Sequence, residues 1–252
     1  MKKAFLVTSS IDVDNNYPLT YTKTRTFFSP EERLRQTVMT MTCLDLVSDQ
    51  DTEIYVLDNS ENTEYRHQFA WGPNIKFISI KEEFPEIHQT LRTHPHKSYC
   101  ECKMLTTFLR ERRQQLEHVD YFIKLSGRYF TDSRFNISIF NENNLDKMFY
   151  KKPLKFEWHD SWGYGLIDRR KEQGDNKLRQ YCTVLYGWGR ERHGNMMDML
   201  TALQTMCLRQ EMYHMDVESL SYFFTRPFEK QVIETDWLVY GWEGASGRFM
   251  RY

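Results

Sequence analysis

Several groups of residues in this sequence have types and spacings that could do chemistry. The first is Lys124-Leu-Ser-Gly-Arg-Tyr129, which ends an apolar run. A lysine inside a strand needs a partner or an exposed end. Gly127 lets backbone approach a ligand closely, and Arg128 offers a rigid fork for phosphate or carboxylate. The same residues also describe an ordinary strand-to-turn junction with a surface arginine. The second group is Lys97 and Glu101. A lysine at a helix start can hold phosphate, because unpaired N–H groups already point at the anion. At i,i+4 spacing the two residues can equally form a surface ion pair. The third is Asp216-Val-Glu218, where acids open a late helix. One can cap the helix and favour its dipole, and the other can take a proton from an attacking hydroxyl. The fourth is the glycine-rich tail Gly241–Arg248, which reads as a shaped loop.

Other candidates carry less. Asp12-Val-Asp14 is a literal D-x-D, but it follows the first strand and is short enough to recur by chance; its loop could still touch a nucleotide base. Cys100-x-Cys102, near His94 and His96, matches no zinc spacing. Trp158, Trp162 and Tyr164 lie among glycines. Aromatic faces stack on sugar rings, so these residues are a candidate acceptor site or else a core-packing turn. Phosphate-loop, G-x-S-x-G and G-x-G-x-x-G motifs do not occur.

These residues need elements to position them. Residues 3–8 read as a short buried strand. Ser29-Pro-Glu-Glu32 starts a helix, with serine as cap and proline at the first helical position. Strands follow at 53–58 and 75–80. A helix covers about 98–117, and the strongest strand runs over 119–126. Beyond it come two antiparallel strands near 156–158 and 181–187, then helices over about 196–209 and from 216 to before Pro227. This order opens a mostly parallel, Rossmann-like α/β sheet with flanking helices and a small antiparallel portion. Ligands bind beyond the carboxyl ends of such strands. That places Thr8, Ser9 and Ser10 after the first strand, and Asp58 and Asn59 after the second, as candidate ligand contacts.

The 252 residues suit one domain, with 1–130 as the ligand-binding half and 131–252 as the second half and closing loop. A net charge of -1 argues against a general grip on nucleic acid. Five cysteines without a C-x-x-C pair argue for a reducing compartment. The first apolar stretch is too short for a signal peptide, and no run is long enough to span a bilayer. A cytoplasmic protein is therefore expected; lipid-linked material would be reached at the inner face of the membrane, from the water side.

The strand ending Lys-Leu-Ser-Gly-Arg-Tyr resembles the K-[IL]-S/T-G-R-Y signature of small glycosyltransferases with a GT-A-like fold. These build lipopolysaccharide, capsule and similar surface glycans. His96-Lys97-Ser-Tyr-Cys-Glu101 is similar to their N-K-G-x-x-E element, with Ser98 in place of glycine. Asp216-Val-Glu218 resembles the acidic motif of inverting members. The resemblance implies a nucleotide-sugar donor and a glycan or lipid-linked acceptor. It implies donor contacts from Lys97, Glu101, Lys124, Ser126, Gly127, Arg128 and Tyr129, and closure of the tail over the diphosphate through Ser246, Gly247 and Arg248. Glu218 would be the base and Asp216 the cap. Ser126-Gly127-Arg128 stands where many relatives have Asp-x-Asp, so arginine and lysine charge would replace a metal. No cofactor is then required, with Mn2+ or Mg2+ the alternative. The competing readings are a non-catalytic carbohydrate-binding or assembly protein on the same fold, and a nucleotidyltransferase. The latter lacks its glycine-rich loop after the first strand.

Overall fold

Buried apolar runs alternate with helices along this chain, and the runs pair in the order their two apolar faces require. The computed structural model describes residues 1–20, 22–69, 72–157, 177–209, 217–244 and 246–252. Its first half contains β1 (Lys3–Ser9), α1 (Pro30–Val47), β2 (Thr52–Asp58), β3 (Ile75–Ser79), α2 (Ile80–Glu83), α3 (Pro85–Thr93), α4 (Lys97–Glu111), β4 (Tyr121–Ser126) and β5 (Tyr129–Thr131). Its second half contains β6 (Met148–Lys151), β7 (Leu154–Glu157), β8 (Lys177–Gln180), β9 (Leu185–Gly189), α5 (His193–Cys207), α6 (Val217–Thr225), β10 (Val232–Thr235), β11 (Val239–Trp242) and β12 (Phe249–Arg251).

Seven strands form one sheet in the order β10-β6-β9-β4-β1-β2-β3. The β4-β1-β2-β3 portion is parallel, β9 runs antiparallel between β4 and β6, and β10 is parallel to β6. The fold is therefore an α/β sheet of mostly parallel strands with flanking helices, as the strand and helix pattern predicts. Two small sheets accompany it, β12-β11-β5 and β7-β8. The predicted strand near 156–158 is β7, paired with β8 outside the main sheet. The one predicted at 181–187 starts later, at Leu185, because only from there does the chain pair with β4.

The central strands are buried on both faces, which explains their continuous apolar runs. In β1, Ala4 and Leu6 face one core layer, and Phe5 and Val7 the other. The first layer is filled from α3, α4, α5 and α6 by residues such as Leu91, Phe108, Leu203 and Leu220. The second is filled by Met41 and Leu44 of α1 with Phe135, Phe140 and Trp237. Among the described residues no helix is long and apolar enough to cross a membrane.

The start of α1 is fixed by a capping box. Ser29 Oγ accepts from the Glu32 backbone N–H (3.2 Å), and Glu32 Oε2 accepts from the Ser29 N–H (2.8 Å). Replacing Ser29 with alanine should lower stability by about 1 kcal/mol. Urea titration would show a lower midpoint at unchanged slope.

Candidate functional site

The direction of strand addition reverses at β1. The chain builds β2 and β3 on one side of it and returns to place β4 on the other. The register sets Thr8 beside Ser126 and Ser9 beside Asp58, so the carboxyl ends of three strands finish together. An open α/β sheet accommodates ligands at such a switch point. A cleft lies there, with about 970 Å³ of empty volume, open solvent included. Its wall includes Thr8, Ser9, Ser10, Asn59, Lys97, Glu101, Ser126 and Arg128.

Lys124 does not reach the cleft as a ligand contact. Pleat parity puts it on the same face as Phe122 and Ser126, towards α4 and α5, and it is 1% exposed. Its Nζ donates to Ser126 Oγ (2.9 Å) and the Thr183 carbonyl (2.7 Å), and it forms an ion pair with Glu101. Thr8 Oγ1 also donates to Glu101 (3.1 Å), so one carboxylate ties α4 to the ends of β1 and β4. Burial opposes ionisation of Glu101. Lys124, Lys97 and the Thr8 hydrogen bond outweigh it and hold the pKa below its ordinary value. Glu101 and Lys124 thus neutralise each other in the floor of the cleft.

The cations above that floor are differently placed. Arg33, which the sequence pattern did not single out, is 4% exposed and lines the cleft from α1. Its Nε donates to the Ser10 carbonyl (2.6 Å) and its Nη1 to Thr26 Oγ1 (3.0 Å). Among the described residues it pairs with no carboxylate. Burial, and next the Arg128 charge, lower its pKa strongly. An arginine remains charged nonetheless, and Asp58 and Asp12 act on that charge through space, without an ion pair. Arg128 Nε donates to the Trp242 carbonyl (3.3 Å). Gly244 lies against that guanidinium, and a Cβ there would stand 3.0 Å from Nη2. Lys97 opens α4, whose first turn has no side-chain cap. Among the described residues its ammonium has no hydrogen-bond or ion-pair partner. The surrounding protein and then Arg128 lower its pKa to about 8, a pull moderated by the water of the cleft, which the side chain reaches.

The acids at the cleft are largely committed. Asp12 accepts from the backbone N–H groups of Glu61 and Asn62 (both 2.8 Å) and pairs with Arg92 (2.7 Å). Asp14 accepts from the Asn16 N–H (2.9 Å) in its own turn. Asp12-Val-Asp14 is thus used for folding the loop. Among the described residues no group of three or more metal-type ligands converges. Cys100 and Cys102 are buried free thiols, and burial raises that of Cys100 to about 12.

Several expected contacts stand elsewhere. Asp58 is buried and accepts from the Ile11 and Ser60 N–H groups (3.3 and 3.1 Å), holding the loop after β1. Gly127 lies close against β1: its N–H donates to the Thr8 carbonyl (2.8 Å), and a Cβ would stand 3.0 Å from that oxygen. Tyr129 is a core residue packed against Tyr252, whose backbone exchanges hydrogen bonds with Val239. In the tail, Glu243 and Gly244 line the cleft. Ser246 binds Glu243, Gly247 donates to the Glu243 carbonyl, and Arg248 is exposed. Glu218, in the first turn of α6, accepts from Thr183 Oγ1 (2.8 Å). It is not among the residues lining the cleft, but Lys97, which is, feels its charge. Asp216, Trp158, Trp162 and Tyr164 lie outside the described residues.

No family model matches the sequence, and no curated protein matches it. Among solved structures, the chain is similar to the mannosyltransferase Ktr4p from S. cerevisiae. The TM-score is 0.55 at 8% identity, over 94% of this chain and 70% of that one. At that identity the likeness is one of overall fold.

Proposed function

We propose that this chain is a glycosyltransferase that moves a sugar from a nucleotide-sugar donor to a hydroxyl of a glycan or lipid-linked acceptor. The observation that carries this reading is the convergence of Arg33, Lys97 and Arg128 on the switch-point cleft, above a floor already neutral through Lys124 and Glu101. Three cations suit a diphosphate, whose charge grows as it leaves. The likeness to a mannosyltransferase fold supports the reaction class. The Lys-Leu-Ser-Gly-Arg-Tyr resemblance supports a place in surface-glycan assembly, on the cytoplasmic side. A hard divalent cation fits the described residues poorly, because Asp12 and Glu101 are bound to cations of the chain itself. The reaction is therefore written without one.

In that reaction the acceptor oxygen attacks the anomeric carbon from the face opposite the diphosphate, which inverts the configuration. The carbon–oxygen bond to phosphate breaks, and its electron pair leaves with the nucleoside diphosphate. Arg33, Lys97 and Arg128 stabilise that charge, and Glu218 takes the hydroxyl proton. The test is thermal denaturation with UDP, GDP, CDP, ADP and dTDP, each with EDTA or Mn2+. At about a hundred times Kd, one of them should raise Tm by about 5–10 °C, and EDTA should leave the rise in place. No response to any nucleotide overturns the reading. A response that EDTA abolishes overturns metal independence alone.

A further inference from the structure

The small sheet of β5, β11 and β12 has two unlike faces. Its inner face is closed: Tyr129, Thr131 and Val239 are all buried. Register places Phe130, Tyr240 and Arg251 opposite one another, and Trp242 opposite Phe249. Directly opposed residues share a face, so four aromatic rings and an arginine cover the outer one. Phe130 stacks on Tyr240 at 5.8 Å and meets Trp242 at 6.0 Å, and Trp242 meets Phe249 at 5.1 Å. All four rings reach solvent, and Phe249 is 54% exposed. A solvent face of an antiparallel sheet is ordinarily polar, and a contiguous aromatic patch marks a binding surface.

We infer that this aromatic face is a platform for a glycan chain, on which successive sugar rings lie with their C–H faces against the side chains. Three features select this occupant. The rings stand on a sheet face at mixed angles, with Phe130 and Tyr240 stacked at 22° and Trp242 edge-on to Phe249 at 71°, so ring faces and edges are both offered to sugar C–H groups; a membrane anchor projects its side chains from an amphipathic helix or a loop. The rim carries hydroxyl partners: Arg134 donates to the Tyr240 hydroxyl, and the Arg251 guanidinium lies 5.8 Å from the Tyr240 ring. The platform is also continuous with the cleft. Trp242 gives its ring to the face and its carbonyl to Arg128, and the next two residues line the cleft. A chain resting on the face can therefore present its end to the donor site. The choice of a glycan as occupant rests on the transferase reading.

The experiment is saturation-transfer NMR on the full chain with maltohexaose, β-1,4-mannohexaose and chitohexaose, each beside its disaccharide. At least one hexasaccharide should bind, more tightly than its disaccharide. Phe249→Ala, at the exposed edge, should weaken it on the order of tenfold, and Phe249→Tyr should restore it. Both variants should keep the wild-type melting temperature and the nucleotide-induced shift. Absence of hexasaccharide binding, or equal binding by Phe249→Ala, overturns the platform. Flotation with phosphatidylcholine–phosphatidylglycerol vesicles that Phe249→Ala abolishes would assign the face to lipid and overturn it too. Hexasaccharide binding that depends on Phe249 in a protein blind to every nucleotide would keep the platform and remove the transferase reading.

Discussion

Replacing Lys124 with methionine is expected to destabilise the protein by about 3–5 kcal/mol, because it leaves a charge enclosed without its partner. Lys124 is almost fully buried, and its Nζ reaches Glu101, Ser126 and the Thr183 carbonyl. Methionine fills the aliphatic volume but supplies none of those donors. The loss falls mainly on Glu101, whose pKa burial would raise and the neighbouring lysines hold down. The sign of the pH dependence follows. A carboxylate whose folded pKa lies below its ordinary 4.5 contributes stability in full above that value. The contribution is lost as pH falls through the folded pKa. In Lys124→Met the stabilising partner is gone, so protonating Glu101 relieves the variant, and its deficit should narrow between pH 7.5 and pH 4.5. A second substitution, Glu101→Met, should recover much of the loss, since an apolar pair can replace a buried ion pair. Urea midpoints for the wild type, single and double variants at both pH values test this. An equal deficit at both pH values, with no recovery in the double variant, would sink the account.

Replacing Glu218 with glutamine should reduce sugar transfer by about 10²–10⁴-fold, the usual scale for removing a general base. Stability should change little. Glutamine keeps an oxygen that can accept from Thr183 Oγ1, as Glu218 does at 2.8 Å, and it keeps the length of the side chain. The ability to take a proton is lost. Asp12 and Glu101, which line the cleft, are poorer candidates, since they are neutralised by Arg92 and Lys124. Transfer and donor hydrolysis would be followed by nucleotide release, with nucleotide binding measured in parallel. The expected pattern is a fall in kcat with unchanged nucleotide affinity. Unchanged turnover would remove Glu218 from the reaction, and a parallel loss of nucleotide binding would make it a donor contact instead.

The parts of the fold legible in the sequence are those that bury two faces or cap a helix locally. Residues of β1, β2 and β4 announce themselves because a central parallel strand must be apolar throughout, and Ser29-Pro30 starts α1 through contacts within four residues. The strands β5, β6, β10, β11 and β12 have three or four residues each, too few for a period to show. They exist because distant partners complete them, as Val239 does with Thr131. The site divides in the same way. Thr8, Ser126 and Lys97 follow from where strands and helices end. Gly127 and Tyr129 lie in the same motif, yet serve strand packing and the core. Arg33 did leave a signal: it occupies the buried stripe of α1 with Thr37, Met41 and Leu44, where a charge needs a reason. Arg92 and Asp12 left none, since their pairing joins segments far apart in the chain.

Residues 1 and 252 differ as attachment points for engineering. Met1 sits beside Asp51, at the amino end of β1. A seven-residue strand separates it from the cleft by about 20 Å. Tyr252 is fastened to Val239 on the ribbon that bears the aromatic rings and supports Arg128. An affinity tag, fluorophore or surface tether at residue 1 therefore leaves the working side unobstructed. The same attachment at residue 252 would crowd the aromatic face and shift the very responses it was added to measure.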